Sequence, residues 1–228
     1  MSVRCCKFNR NPIDFWRHGG YTSSFAWRVP LFCCEKTMDN TAFKFNTSFA
    51  LSIKIIEECD IQPYEDQQIR ELLCHCFPDW TEIFRQRRTW HNTPPIFSVV
   101  ARQKDNIVGH IAVVVRTITT TWNFRYNVAS IQGVSVVPDK RRAGLARHLL
   151  QVSLHEAARR GFPFAILYCK EPFVPYYTSQ GWKLADDSIV MWNSRDLPIS
   201  MQSNCPMYYE LGDVPFPEGP VDVHSPRE

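Results

Sequence analysis

A chain of 228 residues with 26 basic and 23 acidic side chains carries a net charge of only +3 and no long basic run, so nucleic acid is not its expected partner. Its nine cysteines are odd in number, irregular in spacing and without a CxxC pair, which speaks against a secreted disulfide scaffold and for a reducing, cytoplasmic setting. No run approaches the roughly 18 apolar residues of a membrane span, no secretory signal is read at the start, and the length sustains one cored domain with some excess at the ends.

Residues 1–47 hold aromatic, asparagine, cysteine and arginine residues without a sustained period. They are read as an N-terminal extension, either poorly ordered or preceding a true start at Met38; a basic transit peptide is the alternative. A domain is expected over 48–212 and a loose, proline-rich tail over 213–228.

From Leu51 the signals sharpen. "LSIKIIEE" alternates as a strand, and Pro63 opens "PYEDQQIRELLCHCF", where Ile69, Leu72, Leu73 and Cys76 recur at helical spacing. "TEIFRQRRTW" predicts a second short helix. Strands at 96–103 and 107–119 around the turn "KDN" form a hairpin, and "YNVASIQGVSVV" (126–137) is the next strand, ended by Pro138. A helix follows over 143–160, with Leu145, Leu149, Leu150 and Leu154 on one stripe and Gly161 beyond its C-cap. "PFAILYC" (163–169) is a buried strand, "EPFVPYYTSQ" (171–180) a short helix closed by Gly181, and Ile189–Trp192 and Met207–Leu211 are late strands. This order predicts an α/β fold with a sheet of mixed direction, its parallel element being the strand–helix–strand unit at 126–169.

The chemistry concentrates in "DKRRAGLARHLL" (139–150). A helix start leaves backbone N–H groups without partners, and these favour an anion. Gly144 allows close approach, and Arg141 and Arg142 offer forked donors, so a pyrophosphate suits the site. The spacing is neither GxxxxGK[ST] nor GxGxxG, which argues against a nucleoside triphosphate or a dinucleotide. A solvated basic helix start is the plainer reading.

The run "GVSVVPDKRRAGLARHLL" resembles the coenzyme A loop of the GNAT N-acetyltransferase superfamily, Arg/Gln-x-x-Gly-x-Gly/Ala, met by Arg141, Gly144 and Ala146 after a strand ending in Val134, Val136 and Pro138. "VGHIAVV" and "FVPYYTSQGW" resemble two further segments of that family, and the likeness spans about 51–193. It implies the GNAT acyl-CoA N-acyltransferase fold, a mostly antiparallel central sheet flanked by helices with central strands that splay apart. It further implies acetyl-CoA as cosubstrate, an acetyl group passed directly to an amine, and no metal. A small-molecule or peptide amine is the implied acceptor and a monomer or homodimer the implied assembly. The coenzyme-binding residues would be Val134, Ser135, Val136, Arg141, Arg142, Ala143, Gly144, Leu145 and Ala146, with Gly133 marking a bulge that opens the cleft. Tyr177 takes the place of the tyrosine that protonates the departing thiolate.

Two positions depart from the family pattern. Gln132 stands where many relatives have a glutamate base, and Lys170 where many have an asparagine. The base is therefore unassigned, with His110 and Glu171 as candidates. The carboxamide at Gln132 keeps open an alternative, a GNAT-like domain that binds coenzyme A without turnover. Trp80, Phe84 and Trp90 are read as core; the resemblance implies the alternative that they line an acceptor pocket, since family members often build that site from the segment after the first helices. Cys74–His75–Cys76, Cys5–Cys6 and Cys33–Cys34 are poor zinc ligands, because adjacent residues seldom fit one tetrahedral site.

Overall fold

The computed structural model describes residues 51–90, 93–185, 204–219 and 221–224. The N-terminal extension and the strand expected at Ile189–Trp192 lie outside the described residues.

Strand β1 (Leu51–Glu57) leads to helix α1 (Pro63–Cys76) and a single turn, α2 (Thr81–Phe84). Proline at the first position of α1 costs no hydrogen bond. The Glu65 carboxylate accepts from the Gln62 backbone N–H at 3.0 Å, one half of a capping box. Strands β2 (Phe97–Gln103), β3 (Asn106–Thr120) and β4 (Arg125–Val136) form an antiparallel meander. Helix α3 (Leu145–Arg159) crosses back to β5 (Phe164–Cys169), which pairs parallel to β4. Helix α4 (Val174–Thr178), β6 (Lys183–Leu184), β7 (Cys205–Glu210) and β8 (Val221–His224) complete the described elements. The sheet order is β1-β2-β3-β4-β5-β7-β6, with β8 also on β3.

Alternation along β2 divides the interior. Val99 and Ala101 join the core beneath α3, while Val100 joins the core beneath α1 with Ile69, Leu73 and Phe84. Gly109 lets α3 sit close to the sheet: a Cβ there would meet Leu149 Cδ1 at 2.9 Å.

Three expectations change. The helix expected over "TEIFRQRRTW" stops at Phe84. Arg88 is buried, its guanidinium bonding both Glu58 oxygens at 2.7 and 2.8 Å and Asp66 at 2.6 Å, which draws the chain off a helical path. Helix α3 starts at Leu145 and not at residue 143, because Arg142 (φ 64°) and Gly144 (φ 80°) are left-handed. The stretch after Gly212 is not simply loose. Phe216 is buried against Phe164 and Tyr208, and β8 takes up the edge of β3 from Thr117 to Thr120, beyond the point where β2 ends.

Candidate active site

Strands β4 and β5 pair only at Ala129–Ala165 and Ser130–Ile166. Beyond Ser130 they diverge, so residues 131–136 of β4 have no ladder partner on that side. The divergence has a local cause. On β3 one residue, Ile111, separates His110 from Ala112; on β4 two residues, Gly133 and Val134, separate their partners Gln132 and Ser135. That is a β-bulge with Gly133 at φ 60°, as the sequence led us to expect.

The open half of β4 leads to the start of α3. The first helical bond runs from the His148 N–H to the Gly144 carbonyl at 3.1 Å, and no side chain caps the end. The N–H groups of Leu145, Ala146 and Arg147 are therefore without helical partners, a positive concavity. Nothing lies within 4 Å of the place a Gly144 Cβ would take, so the approach is clear. Ala143 and Arg142 are exposed beside it, while Leu145 is buried as the first anchor of α3.

Several candidates have other duties. The Ser135 hydroxyl donates to the His110 carbonyl at 3.4 Å within the sheet, leaving only its backbone for a ligand. The Arg141 guanidinium is not turned to the helix start. Its Nε donates to the Val136 carbonyl at 2.9 Å, and Nη2 lies 3.5 Å from Cys76 Sγ. Val136, expected among the coenzyme-binding residues, thus has its carbonyl already engaged. Gln132 Oε1 accepts from the Trp90 backbone N–H at 3.1 Å, so this side chain fastens the segment after α2 to β4.

Tyr177 on α4 is 9% exposed and packs edge-on against Tyr176 and Trp182. Burial, then the neighbouring Cys169 and Tyr176, push its phenol above the ordinary value of 10, so it keeps its proton at neutral pH. Burial, then Cys205, push the Cys169 thiol up to about 11, so it is a poor nucleophile. Glu171 is exposed in the short turn between β5 and α4.

His110 does not suit the role of base. It is fully buried on the α1 side of the sheet, its Nε2 lying 3.3 Å from Ser98 Oγ. Burial, then the Arg88 guanidinium, lower its pKa from 6.5 to about 3, and no solvent reaches it. The sequence signalled the residue but not the Arg88 and Ser98 side chains that surround it.

A separate groove of about 440 Å³ lies between α3, the end of α4 and β7, and none of the sequence-derived site residues lines it. Among the described residues, no group of three His, Cys, Asp or Glu side chains could hold a metal ion.

Residues 60–185, more than half of the chain, match the family model described as the acetyltransferase (GNAT) domain. The chain belongs to the GNAT family. No curated protein matches it. Among solved structures, this GNAT chain is similar to the GNAT family N-acetyltransferase YhbS from Escherichia coli in complex with CoA, at 16% identity and a TM-score of 0.54, over 79% of this chain and 93% of that one. It is also similar to Escherichia coli ElaA, at 11% identity and a TM-score of 0.50, over 70% of this chain and 99% of that one. An acyl-CoA N-acyltransferase from Pseudomonas aeruginosa matches at 12% identity with the same TM-score and coverage as ElaA. These likenesses share the open, mostly antiparallel sheet flanked by helices.

Proposed function

We propose that this GNAT chain transfers an acetyl group from acetyl-CoA directly to an amine. The observation that carries the reading is the early end of the β4–β5 pairing, which leaves one edge of β4 free and opens onto the uncapped start of α3. A pantetheine arm, with its two amides, has the donors and acceptors to lie along such an edge as an added strand would. The pyrophosphate then meets the N–H groups of Leu145, Ala146 and Arg147, with Arg142 beside them. That the related YhbS fold was solved with CoA supports the same use here.

In this reading the amine nitrogen attacks the thioester carbonyl, and the oxygen that gains charge meets a backbone N–H near Val134, at the bulge. Collapse breaks the carbon–sulfur bond, and the Tyr177 hydroxyl gives its proton to the thiolate and regains one from solvent. The proton lost by the amine goes to Glu171 or to water. Burial raises the pKa of the Cys169 thiol, so that side chain is a poor carrier for the acetyl group.

Thermal unfolding with acetyl-CoA tests the reading. A ligand at about 100 times its Kd adds roughly 2.7 kcal/mol of stability. Gly144→Glu, which puts a carboxylate where the phosphates go, abolishes that shift; a folded wild type that shows no shift overturns the reading. Tyr177→Phe is expected to cut turnover about a hundredfold with coenzyme binding unchanged; unchanged turnover retires the proton donor. Gln132 favours a second reading, coenzyme binding without transfer, since a carboxamide takes no proton at neutral pH. A full thermal shift with no transfer to any amine supports that reading instead.

A further inference from the structure

We infer that Arg116, Ser130 and Tyr168 form a binding site for a carboxylate, on the face of the sheet turned away from α3.

The two cores fix that face. Ala129, Ala165 and Leu167 pack beneath α3, while Val128 and Ile166, which alternate with them, join Ile118 in a core on the other side. Arg116 stands two residues from Ile118 and opposite Val128, Ser130 two residues from Val128, and Tyr168 two residues from Ile166. All three side chains therefore share the face turned away from α3. They also lie on one diagonal across β3, β4 and β5, centred on Ser130, the last residue of β4 to pair with β5. Diagonal neighbours in a sheet are within reach of long side chains.

Arg116 brings an uncompensated charge to this diagonal. It is 5% exposed, its Nη1 has no hydrogen-bond partner, and it enters no ion pair among the described residues. Its neighbours Val114, Ile118 and Val128 are apolar and fully buried. A buried lysine can shed its proton; a guanidinium keeps its charge, and a buried charge calls for a partner. Arg88, also buried, shows how the chain meets that demand elsewhere, with both Glu58 oxygens and with Asp66. The described chain supplies no such group to Arg116, so a ligand is the source.

A carboxylate suits the place. Its two oxygens match the fork of a guanidinium, and its single charge cancels that of Arg116, where a phosphate dianion would leave one charge buried and unmatched. The Ser130 and Tyr168 hydroxyls add neutral donors. Burial raises the Tyr168 phenol above its ordinary value of 10, and the Arg116 charge acts on it in the opposite sense, so the two tips are within electrostatic reach. The residue is nevertheless 38% exposed, which makes its hydroxyl the enclosed end and its ring the part that meets solvent. The carboxylate belongs either to the amine acceptor or to a separate acid.

Thermal unfolding of the full chain is measured with sodium hexanoate and with hexanamide at equal ionic strength. Hexanoate is expected to raise the midpoint in a saturable way and hexanamide to leave it unchanged. Arg116→Leu should raise the half-saturating concentration of hexanoate about tenfold. Equal effects of acid and amide, or no effect of either, overturn the inference, and that comparison needs no variant. Where Arg116→Leu does not fold, Tyr168→Phe replaces it: weaker hexanoate binding supports the site, and unchanged binding removes Tyr168 from it. The source is read from acetyl transfer to 6-aminohexanoate and 6-aminohexanamide. These probes hold the amine far from the acid, because Ser130 lies four residues before Val134, roughly 13 Å along a strand. A kcat/KM about tenfold higher for the acid places the carboxylate on the acceptor. Equal rates, with hexanoate still stabilising, assign it to a separate acid. Transfer to no amine overturns the acyl-transfer reading alone, since hexanoate decides the site without it.

Discussion

His110 illustrates how one side chain changes meaning with its surroundings. On a half-buried strand, a histidine with its ordinary pKa near 6.5 is a natural base. Here it sits under α1, fully buried beside Ser98 and within reach of the Arg88 charge, with its pKa lowered to about 3. The folded state therefore holds it neutral, while the unfolded chain takes up a proton below pH 6.5. Its contribution to stability is fully present above pH 6.5 and is lost as pH falls from there toward 3, by about 1.4 kcal/mol per pH unit. Urea midpoints at pH 7, 6 and 5 check this. The wild type is expected to lose stability faster than His110→Gln over that range, and parallel slopes would contradict a buried neutral imidazole. The residue was visible in the sequence; its partners come from 12 to 23 residues away along the chain, and no local pattern announces such pairings.

At the scale of elements, the strands and long helices followed from periodicity, and the departures have physical causes. The left-handed residues Arg142 and Gly144 delay α3 by two residues, and that delay exposes the N–H groups on which the coenzyme reading depends. The tail was misjudged because "VPFPEGPVDVH" is short and proline-rich, so composition argues for a loop. What makes 221–224 a strand is the vacant edge of β3, which only the folded sheet provides. Phe216 supports that closure, being 9% exposed against Phe164 at 5.0 Å and stacked on Tyr208 at 4.2 Å. Phe216→Ala is therefore expected to cost about 3 kcal/mol. Chemical denaturation checks this, and a loss within about 0.5 kcal/mol would mean that the tail is dispensable.

For the whole molecule, the sheet joins two different interiors. One side, under α3, is apolar and continuous from Phe97 to Met207. The other, under α1, mixes apolar side chains with the Arg88, Glu58, Asp66 and Ser98 network. β3 is buried along most of its length and paired on both sides, so its amides should exchange with solvent most slowly of all. The amides of residues 131–136 that face the missing neighbour should exchange faster in the free protein and slow on addition of acetyl-CoA. Hydrogen exchange followed by mass spectrometry reads both. Protection that appears elsewhere, or nowhere, would detach the coenzyme from β4. The family pattern in "DKRRAGLARHLL" was legible without the fold, whereas the two contacts that fasten the segment from Cys76 to Trp90 onto β4 join residues far apart in the chain, which the sequence does not display.

The bond from Arg141 to the Val136 carbonyl has a consequence in time. A coenzyme that claims this carbonyl must first evict the guanidinium, which is then released toward solvent and the incoming phosphates. Arrival is thereby split into an encounter and a partner exchange. In stopped flow, the observed rate should rise with acetyl-CoA concentration and then level off at the frequency with which Arg141 lets go. Arg141→Ala, which leaves only the weak Cys76 thiol donor on that carbonyl, should level off at a higher rate and release the coenzyme sooner.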